Sequence, residues 1–432
     1  MIAVPSLSYA VCEKSMCAYF NQGENNRYKD PYRNVQREGQ NLEKVVIDVI
    51  NRAEKSILAK ALVRARDRGV EVKVIVENIY NKPLRVLSDD EFDRLDTHSK
   101  NRYLEAFEFI DINGDGAISL KERQIREAYH IFKKANLLTK DDTFDGSKGS
   151  GTMHHKFLVI DGKIVLTGSA NLTLSGVHGD SSKTIDDSLG NANSLMYFRS
   201  KKLAKHFALE FSFMWDFHFF GKNKPYRKPK KFKVGESDVL VQFSPTHHSR
   251  PFEASVPGTI SREITGARES IVVAQFVFSD QRLSNSLARA HKKGVKVQGL
   301  FDSLFAFRYY STLLDMWGLE LLRPNNCRSQ TGNSPWNEPL STQVGMAETP
   351  RGDKFHHKFA VVDDKKLLYG SYNWSKGADA LNDETFMVIE NSQIALKFAH
   401  QFAYHQSKAP LQGPPLWLLE RIDKRKKQCG FF

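Results

Sequence analysis

The 432-residue sequence has no apolar run near the length that spans a bilayer, which predicts a soluble protein. It also lacks a basic segment before its first apolar stretch, so MIAVPSLSYAVCEKSM is a poor secretory signal as it stands. Cysteine is scarce, and the absence of any Cys-x-x-Cys pair argues against a zinc site. Two disulfides in an oxidising compartment, Cys12 with Cys17 and Cys327 with Cys429, and four unrelated thiols in a reducing one are both open.

Basic residues outnumber acidic ones in this chain. There are 63 Lys plus Arg against 50 Asp plus Glu, which gives a net charge of +13 and a pI near 9.3. This excess favours polyanionic partners such as nucleic acid or an acidic membrane surface. The length exceeds that of a usual single domain, so two cores or two fused halves are expected.

One pattern occurs twice. MHHKFLVIDGKIVLTGSANLT spans residues 153–173, and FHHKFAVVDDKKLLYGSYNWS begins 202 residues later. In each copy two β-rich runs flank a turn dipeptide, Asp161-Gly162 or Asp363-Asp364, which predicts a hairpin with a two-residue turn. The motif aspartate lies roughly 20 Å along the strand from the histidine at about 3.3 Å per residue, so it is expected to hold the turn.

Alternation along each strand places the polar candidates on one face. His154 and Lys156 share a face, as do His356 and Lys358, because side chains two residues apart point the same way. A two-residue turn puts one serine opposite each histidine and one asparagine further along the same face. These residues are Ser169, Asn171, Ser371 and Asn373. Imidazole, ammonium, hydroxyl and carboxamide together suit binding and cleavage of a phosphate diester.

The motifs HHKFLVID with GSAN, and HHKFAVVD with GSYN, resemble the two HKD motifs of the phospholipase D superfamily. The resemblance implies an α/β fold with two pseudo-twofold-related halves, each a mixed sheet flanked by helices. It further implies that both motifs form one site, that one histidine attacks phosphorus, and that the other acts as acid and base. Two lysines would stabilise charge without a catalytic metal. A monomer is expected, because one chain holds both halves.

The resemblance also implies that the two histidines differ. Glu384, eleven residues after Asn373, matches a carboxylate that hydrogen-bonds a catalytic histidine in the superfamily, whereas Asn193 takes its place after the first motif. A carboxylate raises imidazole basicity, and a carboxamide only orients the ring. We therefore expect the two histidines to differ in proton affinity. By analogy with two-lobed members of the superfamily, the resemblance implies that His154 is the nucleophile and His356 the acid and base; the alternative is an interchangeable pair.

The first half is shorter than the second around its first strand. Ile57 and Gly69 are 12 positions apart, but the corresponding Ile271 and Gly294 are 23 apart. The missing segment includes VVAQFVF, which is typical of a buried strand. Residues 43–69 contain one Gly, at the end, and no Pro, and are predicted to form one long helix instead.

An insertion at about residues 88–140 interrupts the first half, which we place at residues 1–225, with the second half at 226–432. Its centre, DINGDGAISLKE, fits the EF-hand loop between two helical patterns and predicts a structural Ca²⁺ site. The alternative is a solvated turn between two helices. The predicted ligands are Asp111, Asn113, Asp115, the carbonyl of Ala117, Ser119 through water, and bidentate Glu122.

Two basic runs and one aromatic run remain. Residues 222–233 and 421–428 are either a solvated linker and tail or contacts to further phosphates. The aromatic run, residues 211–220, is predicted to be core helix in preference to a base-stacking surface.

The order of motifs resembles bacterial phospholipase D-like exported nucleases that carry an EF-hand insert. The leading hypothesis is a nuclease acting on DNA or RNA, in a secreted, periplasmic or cell-envelope location. The alternatives are a phospholipase D or phosphatidyl transferase acting on lipid headgroups, and an inactive nucleic-acid binder. A wide apolar rim beside the histidines would favour the lipid enzyme, and a lysine-lined groove the nuclease.

Overall fold

The computed structural model describes residues 11–13, 15–24, 26–33, 35–51, 58–147, 149, 151–179, 188–409 and 411–431. The strands of the first half are β1 Val11–Glu13, β2 Met16–Phe20, β3 Arg27–Lys29, β4 Gln36–Glu38, β5 Lys73–Val76, β6 Leu138–Asp141, β7 Phe157–Ile160, β8 Ile164–Gly168 and β9 Ser194–Arg199. Its helices are α1 Leu42–Asn51, α2 Leu58–Asp67, α3 Asp89–Asp93, α4 Thr97–Ile110, α5 Leu120–Arg126, α6 Ala128–Lys134, α7 Leu174–Val177 and α8 Lys201–Trp215.

The second half has the larger sheet. Its strands are β10 Lys230–Val234, β11 Ser237–Ser244, β12 Ser270–Gln275, β13 Lys296–Phe301, β14 Val344–Met346, β15 Lys358–Val362, β16 Lys366–Gly370 and β17 Glu384–Glu390. Its helices are α9 Val256–Thr265, α10 Gln281–Lys292, α11 Ser303–Ala306, α12 Thr312–Met316, α13 Lys376–Ala380, α14 Ser392–Gln406 and α15 Leu416–Gln428.

Each motif copy lies in its own sheet. The first sheet is antiparallel, in the order β1-β2-β9-β8-β7. The second is mixed, in the order β10-β11-β17-β16-β15-β12-β13-β14, with β12, β13 and β14 parallel. Helices cover both sheets, which confirms the predicted α/β fold of two related halves.

The two sheets share one hydrophobic core. Val165 and Phe198 of the first sheet are buried in the same cluster as Tyr369 and Met387 of the second. The Tyr369 hydroxyl donates to the Ser194 carbonyl at 3.0 Å, across the two sheets. Full burial of side chains of this size stabilises the fold by roughly 1.5–3 kcal/mol each. The core therefore fixes the orientation of one motif relative to the other.

Both motif hairpins differ in register from the prediction. Ile160 pairs with Ile164, and Val362 with Lys366, so each loop has three residues. The first two loop residues have positive φ, as a primed turn requires, but the third stays outside the ladder. The prediction that Ser169 faces His154 and Ser371 faces His356 was therefore wrong by one position.

The first sheet lacks the strand that the sequence comparison found missing. In the second half β15 pairs with β12, but within the described ranges no strand pairs with the same edge of β7. The strands β5 and β6, which correspond to β13 and β14, form a separate two-stranded parallel sheet. Shortening the chain has thus divided one mixed sheet into two.

The prediction of one long helix over residues 43–69 was wrong. The described parts form α1 and α2, which pack against each other, and the amide of Leu58 donates to the Glu43 carboxylate at 3.1 Å. One continuous helix would hold these residues roughly 22 Å apart at 1.5 Å per residue. Residues 52–57, which join the two helices, lie outside the described residues.

Both cysteine pairs form disulfides. Cys12 and Cys17 face each other across the β1–β2 hairpin, and Cys327 is joined to Cys429 at the end of α15. Within the described ranges, no helix combines the length and the apolar character needed to cross a membrane.

Candidate active site

The two motif histidines are each held by the opposite half of the molecule. His154 Nδ1 contacts Glu384 Oε2 at 2.7 Å, and His356 Nδ1 contacts Asn193 Oδ1 at 2.9 Å. Glu384 begins β17, and Asn193 directly precedes β9. Each imidazole therefore depends on a side chain about 163 or 230 positions away in the sequence.

These contacts settle the tautomer of both rings. The Asn193 carboxamide nitrogen donates to the carbonyls of Gly176 and Asn191, so its oxygen must face His356. Because both acceptors are oxygens, each ring carries its proton on Nδ1. Each Nε2 keeps a lone pair that is free to react.

Backbone contacts repeat around the two histidines. The amide of His154 donates to the Asp383 carbonyl, and that of His356 to the Ala192 carbonyl, both at 3.0 Å. Each motif lysine turns back onto its own histidine: Lys156 Nζ donates to the His154 carbonyl at 2.7 Å, and Lys358 Nζ to the His356 carbonyl at 2.9 Å. Two ammonium groups therefore lie beside two imidazoles.

The motif serines orient the histidine partners. Ser169 Oγ donates to Asn193 Oδ1 at 2.9 Å, and Ser371 Oγ donates to Glu384 Oε2 at 2.7 Å. Their predicted place opposite the histidines was wrong, because the longer turns shift the ladder. The serines support the site through the neighbouring strand.

The motif asparagines and aspartates have separate positions. Asn373 is buried and its Oδ1 has no partner in the described part of the chain, whereas Asn171 is partly exposed. The Asp363 carboxylate accepts the amides of residues 268–270 at 2.8–3.1 Å and so fixes the turn. Asp161 is exposed at its own turn, and the stretch that corresponds to residues 268–270 lies outside the described residues.

Burial and the lysines keep both imidazoles neutral in the free protein. Burial lowers the pKa of His154 to about 4, although Glu384 acts in the opposite direction. The pKa of His356 is lowered well below its usual value by burial and then by Lys358 and Lys156. Burial also lowers the pKa of Lys156 to about 8 and holds that of Lys358 well below its usual value. A site with these properties favours an anionic ligand, whose charge offsets the repulsion.

Two further carboxylates repeat the pseudo-symmetry and were not identified from the sequence. Glu77 follows β5 and accepts the amide of Met153 at 2.8 Å, while Asp302 follows β13 and accepts the amide of Phe355 at 2.7 Å. Each therefore anchors the residue before a motif histidine. Burial raises the pKa of Glu77 to about 7 and that of Asp302 to about 6. In the sequence, an acidic residue directly follows the strand patterns VKVIV and VQGLF, and this shared position could have identified the two carboxylates.

We expect Glu77→Gln to move the alkaline limb of the pH–rate profile to lower pH. The pKa of Lys156 is near 8, because burial lowers it while Glu384 and then Glu77 raise it, so losing the Glu77 charge lowers it further. The measurement is kcat/KM on bis(p-nitrophenyl) phosphate from pH 6 to 10. Glu71→Gln, which removes an exposed carboxylate paired with Lys73, is the control. An unshifted limb in Glu77→Gln would contradict this role.

A buried ionic network supports the first motif from behind. His155 contacts Thr385 at 2.9 Å and Glu210 at 3.3 Å, and Glu210 forms ion pairs with Lys224 and Arg227 at 2.5 Å. Lys224 also contacts Asp383 at 2.7 Å, next to the carbonyl that holds the amide of His154.

The two basic runs and the aromatic run are divided between core and surface. In residues 222–233, Lys224 and Arg227 take part in the buried network and the other lysines are exposed. Residues 421–428 form most of α15, which is largely exposed. In the aromatic run Met214 and Trp215 are buried, whereas Phe217 and Phe219 are exposed and stack on each other. Only the first part of that run is core helix.

The predicted EF-hand loop connects α4 to α5. Asp111 accepts the amides of Gly114 and Gly116 at 2.8 and 3.0 Å, and Asp115 accepts that of Ala117 at 2.9 Å. The Glu122 carboxylate accepts from Ser119, which caps α5, and these bonds lower its pKa to about 2. The oxygen ligands of this loop are of the kind that Ca²⁺ prefers. Within the described residues, however, no three Asp, Glu, His or Cys side chains are close enough together to bind a metal ion.

Comparison with known proteins places this geometry in a family. The family described as "Cardiolipin synthase, PLD-like domain" matches residues 43–215 and 260–406. A mitochondrial cardiolipin hydrolase from Danio rerio is 30% identical over 155 residues, which are 35% of this chain and 59% of that protein. A phospholipase D from Rickettsia bellii is 27% identical over 174 residues, 40% of this chain and 72% of that protein.

The fold has a similar solved structure over nearly its whole length. Phosphatidylserine synthase from Haemophilus influenzae superposes with a TM-score of 0.50 and 13% identity, covering 90% of this chain and 92% of that one. The two matched segments of the family model each contain one motif hairpin, which confirms the similarity that the motifs indicated. The chain therefore belongs to the PLD-like family, within the phospholipase D superfamily.

Proposed function

We propose that this protein is a phosphodiesterase, and most specifically an endonuclease that hydrolyses DNA or RNA through a phosphohistidine without a catalytic metal. The observation that carries this proposal is the pair of neutral imidazoles, each with a free Nε2, between two buried lysines. A nucleophile, an acid and two fixed positive charges are the groups that in-line displacement at phosphorus requires.

In the first step His154 Nε2 attacks phosphorus and the bond to the leaving oxygen breaks. Binding of the diester anion raises the pKa of His356, which therefore takes up a proton and delivers it to that oxygen. In the second step neutral His356 accepts a proton from water, the resulting hydroxide attacks phosphorus, and the P–N electron pair returns to His154. Lys156, Lys358 and Asn373 bind the non-bridging oxygens.

The choice of nucleic acid rests on charge. The chain carries a net +13. Lysines at positions 222, 228, 230, 231 and 233 are exposed and flank Lys224 and Arg227 of the buried network in the sequence. Polyanions bind such surfaces with salt-dependent affinity. A non-enzymatic binder is disfavoured, because both histidines retain their partners.

A specific observation favours a phospholipid substrate as the second candidate. Leu172, Leu304 and Leu381 are 39–48% exposed and lie within three positions of Asn171, Asp302 and Glu384. Exposed apolar side chains next to site residues in the sequence suit acyl chains, and two of the relatives carry phospholipid-cleaving names. This candidate corresponds to a phospholipase D or a phosphatidyl transferase.

The test compares plasmid DNA, RNA and cardiolipin vesicles as substrates for the purified chain in excess EDTA. Nicking of plasmid DNA or cleavage of RNA under chelation is expected. Release of phosphatidic acid with intact nucleic acid would instead establish the lipid enzyme.

We also propose that the loop from Asp111 to Glu122 binds Ca²⁺ as a structural ion, and that the protein acts as an exported monomer. The loop supplies carboxylate, amide and carbonyl oxygens of the type that Ca²⁺ prefers. The disulfides Cys12–Cys17 and Cys327–Cys429 support an oxidising location, either secreted or at the cell envelope.

Calorimetric titration with Ca²⁺ is expected to give one weak site, with a dissociation constant on the order of 10⁻⁴ to 10⁻³ M. Asp111→Ala and Glu122→Gln should abolish the heat, since each removes a charged ligand. Asp90→Asn on α3 removes an exposed charge from the same insertion and should leave the heat unchanged. Equal heats in all four proteins would exclude Ca²⁺ binding by this loop.

A further inference from the structure

A cavity of about 170 Å³ lies on the second half, apart from the histidines. Three arginines and two tyrosines line it, together with Leu321, Leu322 and Pro324, and no acidic residue does. The polar lining residues are Arg308, Tyr309, Tyr310, Arg421 and Arg425. A concave surface that offers guanidinium and hydroxyl donors and no carboxylate suits an anion.

The guanidinium groups of this cavity are poorly satisfied by the protein itself. Arg425 Nε is buried and has no hydrogen-bond partner within the described part of the chain. Arg323, outside the lining, lies over the ring of Tyr309; its Nη2 donates to Gln330 at 2.9 Å, while its buried Nε likewise has no partner among the described residues. A buried donor without an acceptor is costly, and a guanidinium binds phosphate oxygens through two parallel bonds. An external oxyanion would supply the missing acceptors.

Nearby acids do not neutralise the cavity. Asp423 on α15 pairs with Lys427 at 2.8 Å, and Glu320 accepts from Asn333 at 3.3 Å. Arg421 donates to the carbonyl of Phe307, and Arg308 to that of Leu304. In the described part of the chain, no ion pair joins Arg308, Arg421 or Arg425 to a carboxylate, although Glu420 precedes Arg421 on the exposed face of α15.

The cavity is connected to the active site through three aromatic and backbone contacts. The His356 ring packs on Phe276 with centroids 4.6 Å apart, and Phe276 packs on Phe305 at 4.9 Å. The amide of Arg308 donates to the Phe305 carbonyl at 3.2 Å, directly after α11. These contacts place the cavity on the elements that pack against His356, the side of the site along which a polymeric substrate would continue.

We propose that this cavity is a subsite for a backbone phosphate of nucleic acid that flanks the scissile phosphate. The proposal rests on the nuclease function proposed above and names a determinant of its substrate class. Contacts to a second phosphate position the strand without reading its sequence. Tyr309 and Tyr310 add hydroxyl donors and ring faces beside the guanidinium groups.

The disulfide between Cys327 and Cys429 makes the subsite dependent on oxidation. Cys429 lies one helical turn after Arg425, and Cys327 lies three residues after Pro324, so the bond joins the two walls of the cavity. Reduction would remove this covalent link while Leu418 and Ile422 keep α15 packed in the core, so it is expected to weaken phosphate binding without releasing the helix.

The test uses full-length protein carrying His154→Ala, which prevents turnover, and a fluorescein-labelled single-stranded 20-mer. Arg425→Gln is expected to weaken binding about tenfold, and to reduce the slope of log affinity against log salt by about 0.7 for one phosphate contact. Lys424→Gln removes the same charge from the neighbouring exposed position of α15 and is expected to change affinity less than twofold. Thermal midpoints check that each variant is folded.

Equal affinities in Arg425→Gln and Lys424→Gln would overturn the subsite. Unchanged binding after reduction would overturn its dependence on the Cys327–Cys429 disulfide. Weaker binding of Arg425→Gln to cardiolipin vesicles with unchanged binding of the 20-mer would overturn it in favour of a lipid headgroup site. Hydrolysis of bis(p-nitrophenyl) phosphate by the wild-type protein is measured separately. Its absence would reject the proposed chemistry and leave the binding result to decide the subsite.

Discussion

Replacement of His154 by alanine is expected to reduce phosphodiester hydrolysis by on the order of 10⁴-fold or more, because the covalent route loses its nucleophile. Replacement of His356 by alanine is expected to cost about 10²- to 10⁴-fold, the typical contribution of a general acid and base. The two losses differ because Glu384 supports only His154, while His356 is held by the neutral Asn193.

Intermediate trapping distinguishes the two roles. After acid-free quenching of a reaction with ³²P-labelled diester, label should stay on the His356→Ala protein and be absent from His154→Ala. His357→Phe is the matched control, since His357 packs among Phe20, Phe355 and Phe359 and its ring nitrogens have no partner in the described residues. Equal trapping in both alanine variants would establish an interchangeable pair instead.

Lys224→Met is expected to lower the free energy of unfolding by about 3–5 kcal/mol, the range for breaking a buried ion pair from one side. The side chain of Lys224 is 3% exposed and lies between Glu210 and Asp383, whose carboxylates are fully buried. Without the ammonium, burial raises the pKa of both carboxyls and their buried charge becomes costly. Among the described residues, Arg227, His155 and the amide of Gly221 remain to balance them.

Urea unfolding followed by circular dichroism measures this effect, with Lys222→Met as the exposed control two residues away. The double variant Glu210→Gln/Lys224→Met should recover part of the loss, because it removes one of the uncompensated charges. A loss below about 1 kcal/mol in Lys224→Met would show that the network adds little to stability. The rate of hydrolysis should fall as well, since Asp383 holds the amide of His154.

The side chains that carry the chemistry could be predicted from the sequence because they follow one local rule. Two-residue alternation puts His154 beside Lys156 and His356 beside Lys358, whatever the rest of the sheet does. The register across each hairpin could not be predicted. The turn dipeptides are typical of a two-residue loop, but Lys163 and Lys365 are also left unpaired, so each loop has three residues. Ser169 and Ser371 were misplaced for this reason.

Residues that act over long sequence distances were also missed. Glu77 and Asp302 reach the motifs from strands that precede them by 76 and 53 positions, and no local pattern reports that contact. The run KNKPYRKPKKFK has the composition of a solvated linker, yet Lys224 and Arg227 form buried ion pairs with Glu210 and Asp383. The burial of these basic side chains depends on acidic partners that lie elsewhere in the sequence.

Glu384 and Asn193 make the two halves of a nearly twofold-symmetric site chemically different, so the site distinguishes the two orientations of a bound substrate. In a symmetric site a strand could enter with either polarity, and either histidine would meet a competent leaving oxygen. Here His154 faces a carboxylate and His356 a carboxamide. On the nuclease function proposed above, the 5′-to-3′ sense of the bound strand would decide which ester oxygen lies opposite the attacking nitrogen. Every cut would then leave its phosphate on the same end, and an Asn193→Asp chain would produce both kinds of end.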